Sequence, residues 1–126
     1  MERELSPREI DIGIKRQIVL YLQTVASFEA QLKYARNVPI ADVPSEMING
    51  WSDFVSPEFL ERVSRSGDVF SNPELAATRA YQKVWESVFA DTPDPLPLLD
   101  DLIGTEPWER LRSGAALALT AFRLSS

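Results

Sequence analysis

Three times in this 126-residue chain a serine or asparagine stands directly before a proline where an apolar periodic stretch begins: SPRE at residues 6–9, SP at 56–57 and NPE at 72–74. Proline is harmless at the first helical position, because the amide it lacks would have no intrahelical partner there. The residue before it supplies an oxygen for one of the orphan N–H groups. A chain punctuated in this way is confined to helices with defined starts. In SPRE, Ser6 is the N-cap and Glu9 completes a capping box. Behind it Ile10, Ile14, Ile18, Tyr21, Leu22, Val25, Phe28, Leu32 and Ala35 recur at three- and four-residue steps. They predict one amphipathic helix of about eight turns, which NVP at residues 37–39 ends.

The next stretch, VPSEMINGWSDFV, places Met47, Ile48, Trp51, Phe54 and Val55 on one helical face. The proline at 57 restarts a short helix through Val63, and SRSGDVFSN at 64–72 reads as a loop because its Gly, Asp, Ser and Asn favour turns. After Asn72, read as the cap, Ala77, Tyr81, Val84, Trp85, Val88 and Phe89 form the stripe of another helix ending near Ala90. LLDDLIG at 98–104 makes one or two turns closed by glycine. Thr105 caps a last helix with Trp108, Leu111, Ala115, Leu119 and Phe122 along one side. No segment alternates as a strand bounded by a hairpin turn. The expectation is a single all-α domain over residues 1–126, a helical bundle of three long helices plus one or two short helices. The proline-rich acidic segment 91–107 crosses one end of it.

The chain has no cysteine and no histidine. Disulfides, thiol nucleophiles, Ser-His-Asp triads and histidine-bearing metal sites are therefore excluded. The segment MERELSPREI lacks the apolar centre of a secretory signal, and runs such as IVLYL are far short of a membrane span, so the expected compartment is cytoplasmic, with no membrane contact. A net charge of −6 disfavours direct binding of nucleic acid. The acidity is concentrated: residues 40–109 carry 14 carboxylates against Arg62, Arg65, Arg79 and Lys83, whereas the flanks carry 5 acids and 9 bases.

Carboxylates are the only abundant groups for acid–base or metal chemistry. Glu58 and Glu61 share a helix face and suit a hard cation, but the facing helix offers only Glu74 and Glu86, twelve residues apart. Asp91, Asp94, Asp100 and Asp101 do not have the spacing of a calcium loop. We therefore expect no enzyme, no metal and no cofactor, with a magnesium-dependent all-α hydrolase as the competing catalytic reading. Lys15 with Arg16, and Arg110 with Arg112, read as ordinary helix-surface bases beside carboxylates. The three tryptophans, Trp51, Trp85 and Trp108, each fall on a stripe, which favours the core; their other use is as anchors at an interface.

DTPDPLPLLDDLIGTEPWE, residues 91–109, holds four prolines and six carboxylates. From Val84 to Glu109 seven carboxylates occur with no base. Single-sign clustering creates a field that steers an oppositely charged partner, and a proline-stiffened segment loses less entropy when an interface immobilises it. The simpler alternative is an acidic solvated loop.

EMINGWSDFV at 46–55 and YQKVWESVFADTPDPLPLLDDLIGTEPWERLR at 81–112 resemble small acidic bacterial immunity proteins of polymorphic-toxin and contact-dependent growth inhibition systems. The resemblance spans about half of the chain. It implies a binder that occludes a cognate basic toxin domain, often a nuclease whose groove accepts acidic side chains in place of nucleic acid. On that reading Asp91, Asp94, Asp100, Asp101, Glu106 and Glu109 meet the partner, with Trp108 as an apolar anchor if it is exposed. Glu46 and Asp53, beside Trp51, form a second patch. The competing binding reading is an acidic regulator that occupies a DNA-binding protein.

Overall fold

The structure, a computed structural model, describes residues 4–93 and 95–124. Among the described residues there are seven helices and no strand: α1 (Pro7–Val25), α2 (Phe28–Asn37), α3 (Val43–Phe54), α4 (Pro57–Ser66), α5 (Asn72–Asp91), α6 (Leu99–Leu102) and α7 (Glu106–Leu124). The three long helices are α1, α5 and α7, of 19, 20 and 19 residues. Four shorter ones accompany them, where one or two were expected.

The main difference is a corner in the helix predicted to run unbroken to Ala35. At Ser27 the backbone becomes extended and the side-chain oxygen accepts the Ala30 N–H, so a new helix is capped where the old one ends. Gln31 holds the corner from inside: its Nε2 donates to the Val25 carbonyl at 3.0 Å, satisfying an acceptor that the end of α1 leaves orphaned. Apolar periodicity continues through the corner because both helices bury residues of the same stripe. The corner makes the sign of one substitution diagnostic. Ser27→Ala removes a cap and is expected to cost about 1 kcal/mol in urea unfolding. In a continuous helix the same change would raise stability, since alanine is the better helix former.

The other starts follow their sequence signals. Ser6 and Ser56 accept the N–H groups of Glu9 and Phe59, and Asp42 accepts that of Ser45 at the start of α3. At α5 the cap is Ser71, one residue ahead of Asn72, with Glu74 completing the capping box. Gly67 ends α4 at φ 68°, in the left-handed region where a Cβ is strained. Thr105 accepts the Glu109 amide on its carbonyl, while its hydroxyl donates back to the Leu102 carbonyl at 2.6 Å.

Helix α7 packs against both α1 and α5, and α3 lies against α1. Side chains of α3 also reach α5: Trp51 Nε1 donates to Gln82 Oε1 at 2.6 Å, and the Ile48 carbonyl accepts from Trp85 Nε1 at 2.7 Å. The Trp51 ring lies 5.6 Å from Tyr21 and 4.5 Å from Tyr81. Tyr21 donates to the Met47 carbonyl at 2.6 Å, and its oxygen is 2.8 Å from that of Tyr81. Burial pushes both phenols above their ordinary value of 10.0, so they stay neutral hydrogen-bonding groups. Buried charges are matched as well: Glu74 accepts from Lys15 Nζ at 2.8 Å, and Asp11 from Arg62 at 2.5 Å. Among the described residues no buried side-chain polar atom lacks a partner, as stable interiors require. No helix among them is long and apolar enough to cross a membrane.

Candidate protein-binding surface

After α5, Pro93, Pro95 and Pro97 keep the chain out of helix until α6 forms a single turn, LDDL. Residues three apart share a helix face. Leu99 and Leu102 accordingly turn inward and are buried, which leaves Asp100 and Asp101 outward and exposed. The acidic segment is thus pinned to the core by leucines and shows the Asp100 and Asp101 carboxylates to solvent.

Those carboxylates do not act as one block. Arg110 reaches back to two of them, with Nη2 at 3.0 Å from Asp91 Oδ2 and 2.6 Å from Glu106 Oε2, and it also binds the Ser87 hydroxyl. Arg112 holds Glu109 at 2.5 Å. The base-free interval in the sequence ends at Glu109, one residue before the arginine that pairs with Asp91 and Glu106 on either side of Asp100 and Asp101. The uniform acidic field expected over residues 91–109 is therefore corrected to a narrower one. The Asp100 and Asp101 carboxylates have no ion-pair or hydrogen-bond partner among the described residues. Asp94 lies outside the described residues.

The arginines hold the Glu106 and Glu109 carboxyls below their ordinary value of 4.5, through hydrogen bonds first and charge second. A depressed folded value means that the pairing stabilises the fold above 4.5 and that this contribution is lost as pH falls through the depressed values. Arg110→Gln is expected to lower the Tm slightly at pH 7 and not at pH 2, so the acid limb of its Tm profile is flatter. Thermal melts across that range check it.

Trp108, proposed as an anchor if exposed, is 0% exposed, and its Nε1 donates to Gln31 Oε1 at 2.9 Å. It belongs to the core because position 108 starts the inward stripe of α7, and the correction removes it from the surface. Trp51 is buried as well, so Glu46 and Asp53, exposed two turns apart on α3, have no exposed tryptophan between them. Glu46 interacts with the Tyr34 hydroxyl and pushes that phenol up. The tryptophan closest to solvent is Trp85, half-buried and stacked at 5.5 Å on Phe89, which is itself exposed.

The proline-rich segment forms one wall of an open apolar groove of about 670 Å³. Leu32 and Ala35 of α2, Pro44 of α3 and Leu96 of the segment line it. Two further lining residues are large and aliphatic yet stand in solvent: Ile40 is 97% exposed and Leu98 75%. Burying either side chain fully against a partner is worth about 1.5–3 kcal/mol. Asp100 lines the same groove, with Asp101 next to it, and Arg36 is the one base among the lining residues. Asp42, also lining, is occupied in capping α3. Neither Ile40 nor Leu98 belongs to any helical stripe. An apolar residue left over in a turn beside proline was the available sequence signal for this surface.

Elsewhere, Glu58 and Glu61 flank a shallow depression on α4 together with Arg62 and Arg65, and Glu61 is paired with Arg65. Among the described residues no group of three or more His, Cys, Asp or Glu side chains is placed to hold a metal ion. No family model matches the chain, and no curated protein or solved structure matches it.

Proposed function

We propose that this chain is a binding protein that acts by occlusion, an inhibitor of the immunity-protein type, and that it docks a basic protein partner on the groove between α2 and the proline-rich segment. The observation that carries the reading is the exposure of Ile40 and Leu98 on one apolar groove that ends in the unpaired carboxylates Asp100 and Asp101. Contiguous exposed aliphatic surface is costly for a protein that stays alone in water, and it marks interaction sites when charge rims it. The prolines fit the same role, because a stiff wall loses little freedom when a partner covers it. A basic toxin domain supplies the complementary charge, and the aliphatic residues fill its apolar contact.

The test is a tagged pull-down from lysate of the source organism, washed at low and high salt, with wild type run beside Ile40→Glu/Leu98→Glu. Both substitutions are at exposed positions, so the melting curve is expected to stay that of wild type. Support is one basic protein retained by wild type, released at high salt and lost with the double variant. A partner held equally by both proteins contradicts the assignment of the surface, and capture of an acidic protein contradicts the reading itself.

A further inference from the structure

The flanks of the chain, with their excess of bases, build a second groove of opposite character. A cavity of about 620 Å³ runs along α1 from Arg8 to Gln23 and is closed by the end of α7 and the loop after α4. Fifteen helical steps make it about 22 Å long. Val19, Val69, Leu119 and Phe122 line its apolar part, and Leu20, 56% exposed, stands at its edge. Four bases, Arg8, Lys15, Arg16 and Arg123, and two acids, Asp68 and Glu74, also line it, a local charge of +2 on a chain of net −6. Lys15 is committed to Glu74 at 2.8 Å, and Arg8 is paired with Asp68 at 3.3 Å. The Arg16 guanidinium is exposed and has no ion-pair or hydrogen-bond partner among the described residues.

We infer that this groove binds a free single-chain carboxylate amphiphile, with its aliphatic tail along Val19, Leu119 and Phe122 and its head group on Arg16. Charge complementarity selects the head group: the groove is locally positive on an acidic protein, and Arg16 is a bidentate donor with nothing to hold. Shape selects the tail. The volume is that of a small-molecule site, between about 300 and 1,000 Å³, and it is drawn out along four turns of helix. A net charge of −6 also repels the chain from an anionic bilayer, so the ligand is the free amphiphile and not a membrane-resident lipid. Because the partner-binding reading rests on the other groove, neither result below bears on it.

Calorimetric titration of the intact chain with sodium dodecanoate, below its micelle-forming concentration, is the test. Saturable one-to-one binding is expected, weakening about fifteenfold for decanoate because each methylene contributes about fourfold. Dodecyltrimethylammonium binds at least about tenfold more weakly, since like charge replaces the Arg16 pair. Arg16→Glu weakens dodecanoate by a similar factor without changing the melting curve, and Leu20→Glu gives an independent loss from the apolar side. The inference is overturned by equal affinity for the cationic amphiphile or by indifference to Arg16→Glu. Non-saturating uptake, or binding confined to phosphatidylglycerol vesicles, overturns it too.

Discussion

Trp108→Ala is expected to lower the unfolding free energy by about 3–5 kcal/mol. The indole is completely buried at the start of α7, so its removal leaves a cavity that the surrounding helices close only in part. It also leaves Gln31 Oε1 without a donor in the interior, a further reason to expect the upper part of the range. Gln31 is the side chain that ties the corner between α1 and α2, because its Nε2 serves the Val25 carbonyl. The damage therefore spreads from α7 to a second element. Against a typical total of about 5–15 kcal/mol, a loss of this size removes a third or more of the stability of most domains. Trp108→Phe separates the two contributions: it keeps most of the packing but orphans the amide, and is expected to cost about 1–3 kcal/mol. Urea unfolding followed by circular dichroism reads both. A loss below about 1 kcal/mol for the alanine variant would mean that the ring is not in the core.

The second large effect concerns binding rate. Asp100→Lys/Asp101→Lys is expected to slow association with the basic partner by at least about tenfold at low salt, and by less as salt rises. The two aspartates are exposed, are free of ion pairs among the described residues and sit on a single turn whose core contacts are made by Leu99 and Leu102. Stability should change little. The control is Glu58→Lys/Glu61→Lys on α4, which alters net charge by the same amount at a different place. Helix α4 is tied to α5 at Arg79, whose side chain donates to the Ser64 hydroxyl, and α6 follows the other end of α5; from Arg79 onward α5 runs about 18 Å, about two screening lengths at physiological salt. Stopped-flow association should separate the two variants clearly. Equal slowing by both would mean that the partner responds to total charge and not to α6.

How much of this was legible in the sequence differs from element to element. The helix starts at Pro7, Pro57 and around Asn72 were readable because capping is local chemistry, fixed by three or four adjacent residues. The corner at Ser27 was not, because apolar periodicity records burial and is blind to a change of direction when both helices bury the same stripe. Its determinant is non-local: the Gln31 amide is placed by Trp108, 77 residues away. Trp51 and Trp108 were assigned to the core by periodicity, and they lie there.

The acidic segment was visible as composition, yet composition ignores pairing. Arg110 looked like part of a separate basic cluster, and only the approach of α7 to the end of α5 brings it onto Asp91. Conversely, Ile40 and Leu98 carried no periodic signal, because each is a single apolar residue in irregular chain and their place on one groove depends on Leu96, Pro97 and Leu98 facing α2 across it. The pairing of Arg8, Lys15 and Arg16 with a trough lined by α7 was hidden for the same reason.

The most direct test of the binding account places a photo-crosslinking benzoylphenylalanine at position 40 or position 98 and irradiates the protein in lysate of its source organism. We predict that both positions capture the same basic protein, and that a probe at Glu61 on α4 does not. A partner that co-purifies with the chain but crosslinks from position 61 and from neither 40 nor 98 would contradict the claim that the groove beside the proline-rich segment is the binding surface.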